Sequence, residues 1–87
     1  MTDAPDTGPI ELDATGLRCP LPVLRLEAAL RRALPGQVLL IRTDDPIARV
    51  DVPHAARSRG HACELQSEAD GVCVFAVTCG AQNAPGA

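Results

Sequence analysis

Residues 10–41 read IELDATGLRCPLPVLRLEAALRRALPGQVLLI, and the changes of pattern within them decide the fold. Ile10, Leu12 and Ala14 alternate with Glu11, Asp13 and Thr15, the period of a half-buried strand. Gly16 interrupts that alternation. From Pro20 the period lengthens: Val23, Leu26, Leu30 and Leu34 recur at helical spacing, with Arg25, Glu27, Arg31 and Arg32 off the line. Pro20 suits a first helical turn, where its missing N–H is no loss. Arg31 and Arg32 complement the carbonyl end, and Pro35-Gly36 stop the helix. Val38-Leu39-Leu40-Ile41 is then a short apolar run, read as a central strand.

Outward from this stretch, Asp44-Asp45-Pro46 offers a helix N-cap followed by proline at the first helical position. Ile47 and Val50 follow at helical spacing. Pro53 predicts a kink, with a second helical start there that runs to about Gly60. From His61 to Ser67, Cys63 and Leu65 alternate with Glu64 and Gln66; Asp70-Gly71 is a hairpin signal, and Val72 to Cys79 is a last strand. The order is β-α-β-α-β-β. Right-handed crossovers then predict an α/β fold of the two-layer α+β kind, a four-stranded mixed sheet with both helices on one face. The domain is read as residues 10–79, between a flexible leader at 1–9 and a flexible tail at 80–87. Because the second and fourth strands are apolar on both faces, the open face is expected to dock a partner or a second copy, giving a monomer or weak dimer.

Eighty-seven residues make one modest core, since fourteen of the apolar residues are alanine and Phe75 is the single aromatic. So small a scaffold is expected to carry its chemistry at the surface on one or two residues, without a deep pocket. A net charge of −3, with no basic stripe interleaved with aromatics, speaks against direct nucleic-acid binding. No run of apolar residues suits a membrane span or a signal peptide, which predicts a cytoplasmic protein with reduced thiols. Without C-x-x-C or paired histidine spacing at His54 and His61, no metal or other cofactor is expected.

The functional reading rests on Gly16-Leu17-Arg18-Cys19-Pro20-Leu21-Pro22. It sets Cys19 where a coil becomes a helix, and free N–H groups and the macrodipole there favour negative charge. That placement predicts a depressed thiol pKa and an activated nucleophile, helped by Arg18 if its side chain turns inward. Pro20 and Pro22 stiffen the approach and keep the sulfur projecting. No second cysteine lies within fifteen residues of Cys19, which favours carrying a sulfur atom over disulfide exchange, because a neighbouring thiol would strip it. Asp13 is a candidate to hydrogen-bond the loop that presents Cys19 or else simply ends the first strand, and Gly16 is counted among the supporting residues. Cys63, Cys73 and Cys79 are read as small core residues, and Asp44 and Asp45 as caps.

These residues resemble the TusA/SirA-like sulfur carrier family. The likeness is carried by Leu12-Asp13, the Cys19-Pro20-Leu21-Pro22 motif with its preceding Gly16-Leu17-Arg18, Gly36, Asp44-Asp45-Pro46, Asp51-Val52-Pro53 and Gly60-His61. It implies a two-layer sandwich and a carrier that accepts sulfane sulfur as a persulfide on Cys19 from a cysteine desulfurase or rhodanese-type donor. The sulfur then passes to a downstream relay acceptor, so the protein is a sulfurtransferase-like relay and not a classical turnover enzyme. In relatives the destination is tRNA 2-thiolation, sulfur oxidation, molybdenum cofactor synthesis or selenium metabolism. The alternative is a non-catalytic regulatory or adaptor module of the same fold. Relatives often have an aromatic residue and a cysteine where this chain has Ala55 and Ala56, and basic residues where its last strand ends Val77-Thr78-Cys79.

Overall fold

A computed structural model describes residues 9–80. The leader expected at 1–9 and the tail expected at 80–87 therefore lie, apart from Pro9 and Gly80, outside the described residues. Within them the elements are β1 (Ile10–Asp13), α1 (Leu21–Arg32), β2 (Val38–Thr43), α2 (Ala48–Ser58), β3 (Ala62–Ala69) and β4 (Val72–Thr78), in the expected β-α-β-α-β-β order.

The sheet runs β1-β2-β4-β3. β1 pairs parallel to β2, and β4 pairs antiparallel to β2 on one side and to β3 on the other. The registers Leu12↔Ile41↔Phe75 and Ile10↔Leu39↔Val77 put these side chains on one face, which the helices cover. Leu39, Ile41, Phe75 and Val77 are buried there with Leu26 and Leu30 of α1 and Val52 and Ala56 of α2. On the opposite face Val38, Leu40, Val74 and Ala76 are half-buried beside the exposed Glu11, Asp13 and Arg42. Lone strands could not bury both faces with helices on one, so the alternation is retained but softened.

Three local expectations are corrected. Leu34 does not continue the helical apolar line: α1 ends at Arg32, and Leu34 is 70% exposed beyond it. α2 does not start at Asp45 and restart at Pro53. It is one helix from Ala48 with Pro53 inside, burying Ala48, Val52, Ala55 and Ala56 at consistent helical spacing. Proline there removes one hydrogen bond, to the carbonyl of exposed Arg49, while the buried stripe of the same helix keeps its contacts. β3 is an edge strand: Cys63 and Leu65 pair in unbroken register with Val77 and Phe75, yet Cys63 is buried and Leu65 is 45% exposed, and a bulge follows between Leu65 and Ser67. The Asp70-Gly71 hairpin forms as read, with φ of 54° and 78°, positive at both central positions as a type I′ turn requires.

Because β1 and β2 are parallel, the chain leaves both at the same edge of the sheet. α1 and α2 therefore start at that edge and pack against each other. Their first turns, and the loops before them, share one end of the molecule.

Candidate functional site

That end is built around Cys19. β1 hands over to a loop through Asp13, whose Oδ1 accepts from Thr15 N (3.1 Å) and Thr15 Oγ1 (2.6 Å). These bonds hold the Asp13 carboxyl below its ordinary range. Gly16 follows with φ +83°, a conformation side chains resist, and its N–H reaches Asp44 Oδ1 at 2.9 Å. Asp13 thus closes a turn onto Thr15, and Gly16 ties the following loop to Asp44.

The next anchor comes from the loop between β2 and α2. Asp45 is only 5% exposed; its Oδ2 accepts from Cys19 N at 2.6 Å and its Oδ1 from Ile47 N at 3.3 Å. Asp45 N in turn donates to Thr43 Oγ1 at 3.3 Å. A buried carboxylate needs such donors, and here they tie the Cys19 backbone to the head of α2. Asp44 and Asp45 are therefore less caps of α2, whose N-cap is Ile47, than the pair that pins the Cys19 loop.

Cys19 is half-buried and precedes the N-cap, Pro20, through a cis peptide bond. Pro20 is exposed, whereas Pro22, in the first turn of α1, is buried and anchors the helix start in the core. Arg18 is exposed, and its carbonyl accepts from Leu21 N at 2.8 Å.

The thiol donates to Asp51 Oδ2 at 2.9 Å, from the first turn of α2. This contact reverses the expected electrostatics. The Asp51 carboxylate accepting its proton, aided by desolvation and by the charges of Asp51 and Asp45, pushes the Cys19 thiol above its ordinary pKa range. At the helix start Pro20 and Pro22 have no N–H, and those of Leu21 and Cys19 are given to Arg18 O and Asp45. Arg18 does not help, because the charges acting on the sulfur are the two carboxylates. The sulfur thus rests against the Asp51 carboxyl group instead of against a positive charge.

The other three thiols differ from it in kind. Cys63, Cys73 and Cys79 are buried at 4–5% exposure, and burial pushes each of them up in pKa. All four cysteines are free. His54 is exposed, and His61 sits at the far end of the sheet, its Nδ1 accepting from Gly80 N at 2.8 Å. No cluster of three or more metal-ligating side chains occurs among the described residues, and no helix is long and apolar enough to cross a membrane.

Large apolar side chains lie exposed at the same end. Leu21 and Leu24 of α1 line, with Leu17, Arg25 and Ala28, a surface groove of about 260 Å³, and Ile47 and Val50 are exposed beside Asp51 at the head of α2.

Asp51 is the residue that reading the chain singled out in a motif but gave no role. Its signal was topological: parallel first and second strands bring the first turns of both helices to one edge, and Asp51 is the acid in the second of those turns.

Residues 10–78 match the family described as sulfurtransferase TusA. Among solved structures the chain is similar to a SirA-like protein of Desulfitobacterium hafniense, at 30% identity and a TM-score of 0.73, over 82% of this chain and 97% of that one.

Proposed function

We propose, from the premise that this chain belongs to the sulfurtransferase TusA family, that Cys19 carries a sulfane sulfur as a persulfide between two proteins. The observation that supports this most is the contrast among the thiols. Cys19 alone is half-exposed, at the head of α1 on a loop pinned by Asp44 and Asp45, while Cys63, Cys73 and Cys79 are buried. A carrier needs one reachable sulfur and no accessible thiol of its own to discharge it.

The donor is a cysteine desulfurase or a rhodanese-type protein and the acceptor a further relay protein, with tRNA 2-thiolation one destination of such sulfur, in the cytoplasm. The exposed Leu21, Leu24, Ile47 and Val50 give a partner protein apolar surface beside the sulfur. Arg18 adds a positive charge next to it, suited to steering a persulfide anion.

The test uses a cysteine desulfurase supplied with cysteine bearing radiolabelled sulfur. The wild-type protein takes up label that a small thiol then releases as sulfide, and Cys19→Ser takes up none. Equal labelling of the two proteins, or none of either with desulfurase and rhodanese donors alike, contradicts the proposal.

A further inference from the structure

The Cys19 thiol has one side-chain partner among the described residues, and that partner comes from another helix. Asp51 Oδ2 lies 2.9 Å from Cys19 Sγ, within the reach a proton transfer requires. Asp45 reaches the cysteine at its backbone N–H instead of at its sulfur, and its two oxygens accept from the N–H groups of Cys19 and Ile47. Asp51 accepts from no other donor among the described residues, so the thiol is its one hydrogen-bond partner there. Neither histidine competes for the task. His54 is exposed on the far side of the helix turn from Val52, and His61 is bonded to Gly80.

We propose that Asp51 is a catalytic residue of sulfur transfer, taking the Cys19 proton as sulfur arrives and returning it as the donor departs. This rests on the carrier reading above and names the group that operates it. In the step, Cys19 Sγ attacks the outer sulfur of the donor's persulfide. The new Sγ–S bond forms as the donor's S–S bond breaks, and the bonding pair leaves on the donor's inner sulfur as a thiolate. The Cys19 proton moves to Asp51 Oδ2 and from there to that thiolate. A thiol and a persulfide become a persulfide and a thiol, with no net oxidation. Delivery to the acceptor is the same exchange with the roles of the two sulfurs reversed. A carboxylate in this place also explains how a thiol that the site holds neutral is still a competent nucleophile: the base acts only when an electrophilic sulfur is in line.

The charged groups that face the sulfur are Asp51 of α2 and Asp45 of the β2–α2 loop; in its own segment the neighbouring charge is the exposed Arg18. The experiment measures the rate of sulfur uptake from glutathione persulfide against pH for wild type, Asp51→Asn and Asp51→Glu. Asparagine keeps the shape and takes no proton. Where Asp51 is the base, the wild-type rate relative to Asp51→Asn falls by up to about tenfold for each pH unit raised, because only the variant depends on free thiolate. At about pH 7 the variant is slower by on the order of tenfold or more, and Asp51→Glu recovers the wild-type profile in part. Parallel profiles, or faster uptake by Asp51→Asn across the range, overturn the proposal and leave Asp51 as a charge that only restrains the thiol. No uptake by wild type at all removes the carrier reading, and this inference with it.

Discussion

Cys19 and Asp51, 32 residues apart in the chain, meet through a hydrogen bond of 2.9 Å between the thiol and a carboxylate oxygen. The parallel pairing of β1 with β2 permits this meeting, because it starts both helices at one end of the sheet. The sulfur is thus presented by α1 and governed from α2, so either helix start can be altered to change its chemistry.

The thiol of Cys19 is expected to titrate above the ordinary cysteine range of about 8.5, remaining neutral at pH 7. Asp51→Asn removes the hydrogen-bonded charge and brings the midpoint down. Thiolate absorbance in the ultraviolet, read as the difference between each protein and its Cys19→Ser counterpart, checks this. A midpoint below the ordinary range in the wild type would restore the helix N-terminus as the dominant influence.

Asp45→Ala leaves the N–H groups of Cys19 and Ile47 without their carboxylate. The expected loss is about 1–3 kcal/mol in denaturant unfolding, since the site is buried and the acceptor is not replaced. Asp45→Asn keeps an acceptor oxygen and is expected to lose less. Sulfur uptake is expected to fall in Asp45→Ala even where it is fully folded, because the backbone that aims Cys19 is released.

Phe75 is the core's one aromatic side chain, buried at 2% exposure on the central strand β4 opposite Ile41. Phe75→Ala is expected to cost about 3–5 kcal/mol, through lost burial and the cavity left behind. In a domain whose total stability is of the order of 5–15 kcal/mol, that brings the variant close to unfolding. Thermal unfolding followed by far-ultraviolet circular dichroism measures it.

His61 gives the fold a pH dependence at the end away from Cys19. Burial, with the Arg59 charge, holds its pKa below the ordinary value, and its unprotonated Nδ1 accepts from Gly80 N. The unfolded chain therefore gains a proton near about pH 6.5 that the folded protein still refuses. Stability from this residue is complete above that pH, declines as the pH falls, and levels off once the folded-state value is passed. Urea unfolding at a series of pH values is expected to show a decline that is smaller in His61→Gln. Gly80 itself has no room for change, since a Cβ there would meet the Gly60 carbonyl, so Gly80→Ala is expected to be destabilising at every pH.

Much of this molecule was legible in its residues because the local signals agreed with one another. Alternation in Ile10–Ala14, the 3.6-residue period of Leu26 and Leu30, and the Asp70-Gly71 turn each belong to a few neighbouring positions, and each formed. What local pattern missed was decided by tertiary contact. Pro53 reads as a break, yet Ala48, Val52 and Ala56 on one buried stripe hold the helix through it. Leu34 fits the helical period but falls past the last turn and points to water. At the site, the position of Cys19 followed from its glycine and prolines, whereas its electrostatics did not. The helix start suggested a stabilised thiolate, and a carboxylate from a distant segment reversed the sign.

Peptide mapping by mass spectrometry, after exposure to a cysteine desulfurase with cysteine and then trapping of persulfides by alkylation, locates the cargo. A sulfur carrier centred on Cys19 gains about 32 Da per sulfur on the Cys19 peptide, removable by reductant, while the peptides of Cys63, Cys73 and Cys79 stay unmodified. The extra sulfur appearing on one of the buried cysteines, with Cys19 unchanged, would place the chemistry elsewhere in the molecule.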